Sequence, residues 1–197
     1  YSQILVDSRP VFSSLNGVYG LEQIPSNMIE RVEVVRGGGS ALYGASAIGG
    51  TINIITKEPI RNTASFGHTL MGIGGGDAFD NITSGNVSLV TGDNKAGIYA
   101  YGQSRYRQGY DHDGDGYSEL PTLQSQTFGL SSYFRLSPYS KFGIQYHAIH
   151  DFRRGGNMLD LPPHQANIAE QAEHNIQGGS LNYDYYSPDE KNHLNAY

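Results

Sequence analysis

Apolar and polar residues alternate with a period of two along most of the chain after about residue 62. From Ala96 to Arg107 the odd positions are Gly97, Tyr99, Tyr101, Gln103, Arg105 and Arg107, and the even ones Ala96, Ile98, Ala100, Gly102, Ser104 and Tyr106. From Gln126 to Leu136 the even face carries Phe128, Leu130, Phe134 and Leu136, while the odd face ends in Arg135. From Lys141 to Arg153 the even face holds Phe142, Ile144, Tyr146, Ala148 and Phe152, with His150 its polar member; Lys141, Gln145, His147, Asp151 and Arg153 share the odd face. Later, Leu181, Tyr183 and Tyr185 oppose Asn182 and Asp184. Period two belongs to pleated strands. These segments run to about 10–13 residues, near the ~9–11 that a tilted strand needs to cross a bilayer and roughly twice the usual globular strand. Charges keep to one face and aromatics gather toward segment ends, as expected where the other face meets lipid between two interfacial girdles.

The connections alternate in length as well. Residues 92–95, 137–140 and 187–191 read as tight turns built on Gly, Asn, Ser and Pro. Residues 109–123 and 154–175 read as long loops, and 72–81 joins the same side. Short turns on one side and long loops on the other are the pattern of outer-membrane barrels, whose periplasmic turns are short. Seven strands are predicted: roughly 63–71, 82–91, 96–107, 124–136, 141–152, 176–186 and 192 onward. Seven cannot close a bacterial membrane barrel, which takes even numbers from 8 upward, so further strands are expected beyond this chain. The chain also opens and stops inside apparent strands, which reads as a cut through folded structure.

Residues 1–60 have another texture. Short apolar runs are split by glycine clusters: a strand over 4–7, a turn or short helix over 24–29 started by Pro25 and Ser26, a strand over 32–35, a helical turn over 40–43, and a strong strand over 51–56. The expectation is a compact α+β module over 1–60 followed by all-β membrane strands over 61–197. Composition sharpens this. The chain of 197 residues has 26 Gly, 15 Tyr, no Cys and only 16% charged residues, yet a mean hydropathy of −0.45. Its polarity comes from uncharged side chains, which suits strands with one wet face. A net charge of −6 argues against a nucleic-acid partner, which leaves a basic footprint. Lack of cysteine excludes disulfides and thiolate zinc sites. No nucleophile elbow, paired catalytic carboxylates or metal-hydrolase helix is present, and the chain is not expected to be an enzyme.

Five blocks carry a family resemblance: Ile4-Leu5-Val6-Asp7; Ile24-Pro25; Ile29-Glu30-Arg31-Val32-Glu33-Val34-Val35-Arg36-Gly37; Ser40-Ala41-Leu42-Tyr43-Gly44; and Ala47-Ile48-Gly49-Gly50-Thr51-Ile52-Asn53-Ile54-Ile55-Thr56-Lys57. In order and spacing they resemble the C-terminal half of the plug of TonB-dependent outer-membrane receptors. Two positions depart from the pattern: Ser8 stands where the family has glycine, and Gly37-Gly38-Gly39 where it often has Gly-Pro. The resemblance implies a 22-stranded antiparallel barrel filled by the plug. It also implies substrate binding between plug apex and extracellular loops, and energy from the TonB–ExbB–ExbD complex of the inner membrane. Outer-membrane lipid would surround the barrel.

Candidate site residues follow. The loop of residues 11–20 offers hydroxyls, one amide and an aromatic ring, which suits a large, partly apolar ligand; Ser13, Ser14, Asn16, Val18 and Tyr19 are its substrate candidates, joined by Tyr43 and Ser46 from a second loop. Glu30, Arg31, Glu33 and Arg36 surround one strand and need partners; by the resemblance they lock the plug. Asp111, Asp113 and Asp115, spaced at i, i+2 and i+4 and followed by Gly116, resemble the opening of an EF-hand loop, whose hard carboxylate oxygens converge on Ca²⁺. Thr122 rather than Glu falls at the twelfth position, so an extracellular calcium loop is expected rather than an EF-hand, with Glu119 or the Tyr117 carbonyl as further ligands. Cobalamin receptors of the family resemble this chain in carrying such a stretch between their third and fourth barrel strands. His164 is the candidate axial ligand of a haem receptor. The loop that holds Leu161-Pro162-Pro163-His164 and residues 168–173 is expected to include a short helical turn, and to serve as a lid or a contact for a surface lipoprotein. Cobalamin is the leading substrate, then haem, then a ferric siderophore; a soluble calcium-binding β-repeat or adhesin is the alternative of another class.

Overall fold

A computed structural model describes residues 3–10, 24–38 and 47–197, which fall into two units, Tyr1–Glu58 and Pro59–Tyr197. In the first unit the described residues form four strands: β1 (Gln3–Val6), β2 (Arg9–Pro10), β3 (Ile29–Arg36) and β4 (Gly50–Thr56). They lie in the order β2-β1-β4-β3. β1 runs parallel to β4, while β3 runs antiparallel to it. The strand predicted over 51–56 is thus an inner one, and its apolar run follows from burial: Thr51, Asn53 and Ile54 are all buried. β2 was not predicted; two residues give no readable alternation. The turn between β1 and β2 explains the Ser8 departure. Asp7 and Ser8 have φ of +48° and +65°, a region where glycine is the cheap choice. Asn53 compensates: its Oδ1 accepts the Ser8 N–H at 2.9 Å and its Nδ2 donates to Ser8 Oγ at 3.3 Å. The Asp7 carboxylate accepts from the Thr56 N–H at 2.9 Å and the Thr56 hydroxyl at 2.7 Å, tying the turn to the end of β4. The expected turn near Pro25 is a 3-10 turn over Ser26–Met28. No α-helix occurs among the described residues of this unit, so the module stands as mainly β there; the helical turn expected over 40–43 lies outside them.

The second unit is one antiparallel meander of seven strands in sequence order: β5 (Thr63–Ile73), β6 (Ala78–Val90), β7 (Ala96–Arg107), β8 (Tyr117–Ser137), β9 (Ser140–Asn157), β10 (Ala169–Tyr186) and β11 (His193–Ala196). Every predicted hairpin is present, but five strands, β5, β6, β8, β9 and β10, are longer than predicted. β8 starts at Tyr117 and β10 at Ala169, so the long connections shrink to 108–116 and 158–168, and the first to 74–77. The short helical turn expected in this loop is a 3-10 turn at Pro163–Gln165, while residues 169–173 belong to β10. The added strand ends mix polar and apolar residues without a regular alternation to read, as in Tyr117-Ser118-Glu119-Leu120-Pro121-Thr122-Leu123; cross-strand pairing continues there regardless, Thr122 with Arg154 and Tyr117 with Asn157.

Register sorts the side chains. One face carries Phe66, Leu70, Phe79, Val87, Leu89, Ile98, Phe128, Phe134, Leu136, Tyr146 and Leu181, all substantially exposed. The other carries Asp80, Ser88, Tyr99, Tyr101, Ser125, Thr127, Tyr133, Asp151 and Arg153, all buried. An apolar exposed face opposite a polar covered one inverts the usual globular sheet, and is what lipid outside and a wet interior require. The polar face is also kept flush. Gly97 faces Tyr133, Gly129 faces Tyr101, Gly143 faces Asn182 and Gly178 faces His147, each pair direct neighbours across a ladder. A methyl group added to Gly129 would lie 2.3 Å from the Tyr101 ring, and one on Gly178 2.6 Å from His147. Each larger side chain therefore lies flat over a glycine.

Candidate functional site

The connection between β7 and β8 is built to bring carboxylates together. Tyr110 and Leu120 exchange backbone hydrogen bonds of 2.9 and 3.1 Å, pinching the base of the loop. Above it, Asp111 curls the chain: its two oxygens accept the N–H groups of Gly114 and Gly116, both at 2.7 Å. Those glycines have φ of +77° and +89°, a conformation that side chains with Cβ resist. Asp113 accepts from the Asp115 N–H at 3.2 Å and Asp115 from the Tyr117 N–H at 2.8 Å. Glu119, already on β8, reaches back to the His112 N–H at 2.5 Å. One oxygen from each of Asp111, Asp113, Asp115 and Glu119 lies within 4.8 Å of the others, the one such group among the described residues. Asp111 is half-buried and the rest are exposed. The three predicted aspartates thus converge, and Glu119 is the fourth member. Four hard anionic oxygens at this spacing repel one another unless a cation lies between them, and their chemistry fits Ca²⁺ better than a softer metal. The flanking elements are strands, as expected for a loop that is not an EF-hand.

The charged strand of the first unit is arranged locally. Arg31 pairs with Glu33 at 2.9 Å and with Glu30 at 3.4 Å. Asn53 Nδ2 donates to Glu33 at 3.4 Å, so the same amide that braces Ser8 also anchors this cluster. Arg36 is exposed at the end of β3. Exposed pairs of this kind contribute little stability, about 0–1 kcal/mol. Ser13, Ser14, Asn16, Val18, Tyr19, Tyr43 and Ser46 lie outside the described residues. His164 sits exposed in the 3-10 turn, its Nε2 3.4 Å from the side-chain amide nitrogen of Gln165.

Sequence reading missed a set of ion pairs on the polar face of the second unit. Arg105 grips Asp80 with Nε at 3.0 Å and Nη2 at 2.6 Å, the Asp80 side chain being only 5% exposed. Arg153 Nε meets Asp151 at 2.9 Å, with 11% and 1% exposure. Arg107 donates to the Pro121 carbonyl at 3.2 Å. These five residues line neighbouring rungs of β6–β9 and form a charged belt toward the long-loop end. Removing one partner of such a covered pair leaves a stranded charge, at a cost of about 3–5 kcal/mol. The signal was available in part: Arg105, Arg107, Asp151 and Arg153 all have odd parity, but Asp80 joins them only once register is fixed.

Comparison with known proteins agrees with this picture. Residues 1–51 match the TonB-dependent receptor plug domain. Over 141 residues, 68% of this chain, the sequence is 29% identical to the vitamin B12 transporter BtuB of Photobacterium profundum, of which it covers 22%. Over 54 residues it is 46% identical to the vitamin B12 transporter BtuB of Vibrio cholerae, covering 9% of that protein. Among solved structures, the siderophore receptor PirA from Acinetobacter baumannii superposes with a TM-score of 0.77 at 19% identity, over 95% of this chain and 30% of that one. The ferric enterobactin receptor PfeA from Pseudomonas aeruginosa gives 0.71 at 17% identity, over 95% and 31%. The chain spans about a fifth of the first of these transporters and under a third of the two receptors. With plug blocks in the first unit and a lipid-type meander in the second, the chain is similar to the TonB-dependent receptors of the outer membrane, its residues 1–51 matching their plug domain.

Proposed function

We propose that the receptor containing this chain takes up cobalamin, a scarce and large nutrient, across the outer membrane, driven by the TonB–ExbB–ExbD complex. The observation that carries the substrate is the four-carboxylate loop between the third and fourth strands of the meander, in a chain whose curated relatives include vitamin B12 transporters. Asp111, Asp113, Asp115 and Glu119 would hold Ca²⁺, which would neutralise the loop and fix it over the barrel mouth. In this reading residues 1–60 are the C-terminal part of a plug, and residues 61–197 the first strands of a 22-stranded barrel. The apex residues Ser13, Ser14, Asn16, Val18, Tyr19, Tyr43 and Ser46 meet the substrate, while Glu30, Arg31, Glu33 and Arg36 hold the plug in place. The connection over 158–168 serves as a lid or as the seat of a surface lipoprotein. A ferric siderophore is the second reading, supported by the likeness of fold to siderophore receptors.

Calorimetric titration of the full-length receptor in detergent with cyanocobalamin, in calcium and then in chelator, tests both parts. Tight binding that weakens on chelation, and in Asp113→Asn with calcium present, is expected. Tight binding indifferent to chelator would remove the calcium site and keep the substrate. No heat in either condition would overturn cobalamin and leave a siderophore or haem.

A further inference from the structure

Between two charged rows, the polar face of the second unit is tiled. On one rung of β7–β10 the partners are Tyr101, Gly129, His147 and Gly178. On the next, nearer the short turns, they are Tyr99, Ser131, Gln145 and Ser180. The third brings Gly97, Tyr133, Gly143 and Asn182 together. Large and small side chains therefore alternate across four strands on three successive rungs, and the large ones lie down over their small neighbours. A methyl group on Gly129 would run into the Tyr101 ring and one on Gly143 into the Asn182 amide; on Gly97 it would lie 2.6 Å from the Tyr133 ring, and on Gly178 2.6 Å from His147. Gln145 is held sideways by the Ser180 hydroxyl, which donates to its Oε1 at 3.1 Å. Tyr99, Tyr101 and Tyr133 are all buried.

None of these rungs holds an Asp, Glu, Lys or Arg, and neither does the rung above, Gln103, Thr127, Ile149 and Ile176. Charges begin at Arg105 and Asp151 on the long-loop side and at Arg135, Lys141 and Asp184 on the short-turn side. In strands tilted by ~40° those two rows stand about 25 Å apart along the barrel axis. A body crossing such a wall has no ridge to climb, because the knobs that lock packed surfaces together are levelled into glycine and serine gaps. It has no covered ion pair to break. It meets hydroxyls, amides and an imidazole at short intervals, each neutral hydrogen bond worth about 0.5–1.5 kcal/mol net, weak enough to be exchanged one after another. The tyrosine faces receive its apolar parts. We propose that this strip of β7–β10 is the wall along which the large nutrient crosses the barrel, its hydrogen-bonding edge passing from rung to rung. Resting on the cobalamin reading above, the strip supplies the route and not the place of first binding.

Two measurements on the full-length receptor separate route from binding: the Kd for cyanocobalamin in isolated outer membranes, and the TonB-dependent uptake rate of cells at saturating cyanocobalamin. Gly129→Val stands the Tyr101 ring up into the barrel interior, and Gly178→Val does the same to His147. Each should leave Kd within about twofold and lower the uptake rate roughly tenfold. Gly129→Val/Tyr101→Ala, with no ring left to stand up, should recover most of the rate. Dicyanocobinamide, the same macrocycle without its nucleotide arm and so a narrower cargo, should be slowed less than cyanocobalamin. Folding of each variant is read from its heat-modifiable mobility, and Gly178→Val carries the test if Gly129→Val does not fold. An unchanged rate in a folded variant, a Kd that worsens in step with the rate, or equal slowing of both cargoes would overturn the route. A wild-type receptor that neither binds nor accumulates cyanocobalamin would instead overturn the cobalamin reading, and the route with it.

Discussion

Single side chains decide several turns in this molecule. Ser8 occupies a left-handed position and is held there by Asn53, a residue 45 positions away. Asp93, in the turn between β6 and β7, works within its own hairpin. Its carboxylate accepts from the Thr91 hydroxyl at 2.7 Å and the Lys95 N–H at 3.1 Å, with the Lys95 ammonium at 3.3 Å. The Thr91 hydroxyl contributes most, then the Lys95 backbone and side chain; together they hold the Asp93 carboxyl down at about 2, from 3.8. Because the folded value is the lower one, the turn gains stability from Asp93 above pH 3.8 and loses it as pH falls toward 2. Carbon-detected NMR of the receptor should show Asp93 titrating near 2 and, in Thr91→Val, moving up toward the ordinary range. An unmoved midpoint would show that the hydroxyl is not the main cause. The Asp111–Glu119 loop shows where reading by residue succeeds. Asp-x-Asp-Gly spacing declared its chemistry directly, whereas Glu119 joins the group only because β8 starts at Tyr117 and folds back on the loop.

At the scale of elements, the hairpins were legible because one face of each strand must be apolar, which forces period two onto the sequence. Where apolar and polar residues do not alternate, as over 117–123 and 169–175, the same strands continue without that signal and read as loop in the sequence. Register was not legible. It depends on which residues meet across strands, and so the Asp80–Arg105 and Asp151–Arg153 pairs, and the glycine-to-aromatic pairing of the polar face, came only with the structure. That pairing makes a specific prediction. Gly129→Val must displace the Tyr101 ring from the wall, at a cost of about 1–3 kcal/mol. Gly67→Ala, on the same face, meets only Ser84 Oγ at 3.7 Å and should be close to neutral. Urea unfolding of the full-length receptor in micelles separates the two; equal costs would mean that the flush packing over Gly129 carries no energy.

At the scale of the whole molecule, two textures of sequence correspond to two units with different physics. The first closes a small sheet around buried Leu5, Thr51, Asn53 and Ile54. The second exposes its apolar residues and covers its charges, which only an apolar solvent rewards. The antiparallel meander was readable from alternation and loop lengths, and the likeness of residues 1–51 to a receptor plug from the sequence blocks. The stretches expected to meet substrate, residues 11–20 and Tyr43 with Ser46, are glycine-punctuated and without periodicity, and sequence alone offers residue types there but no geometry. Uptake is where these layers meet. The most direct measurement is accumulation of labelled cyanocobalamin by cells expressing the full-length receptor as their sole cobalamin route, with and without TonB. The account predicts saturable accumulation that falls to background when TonB is absent. Accumulation that is unsaturable and indifferent to TonB would contradict it, making the barrel a passive pore.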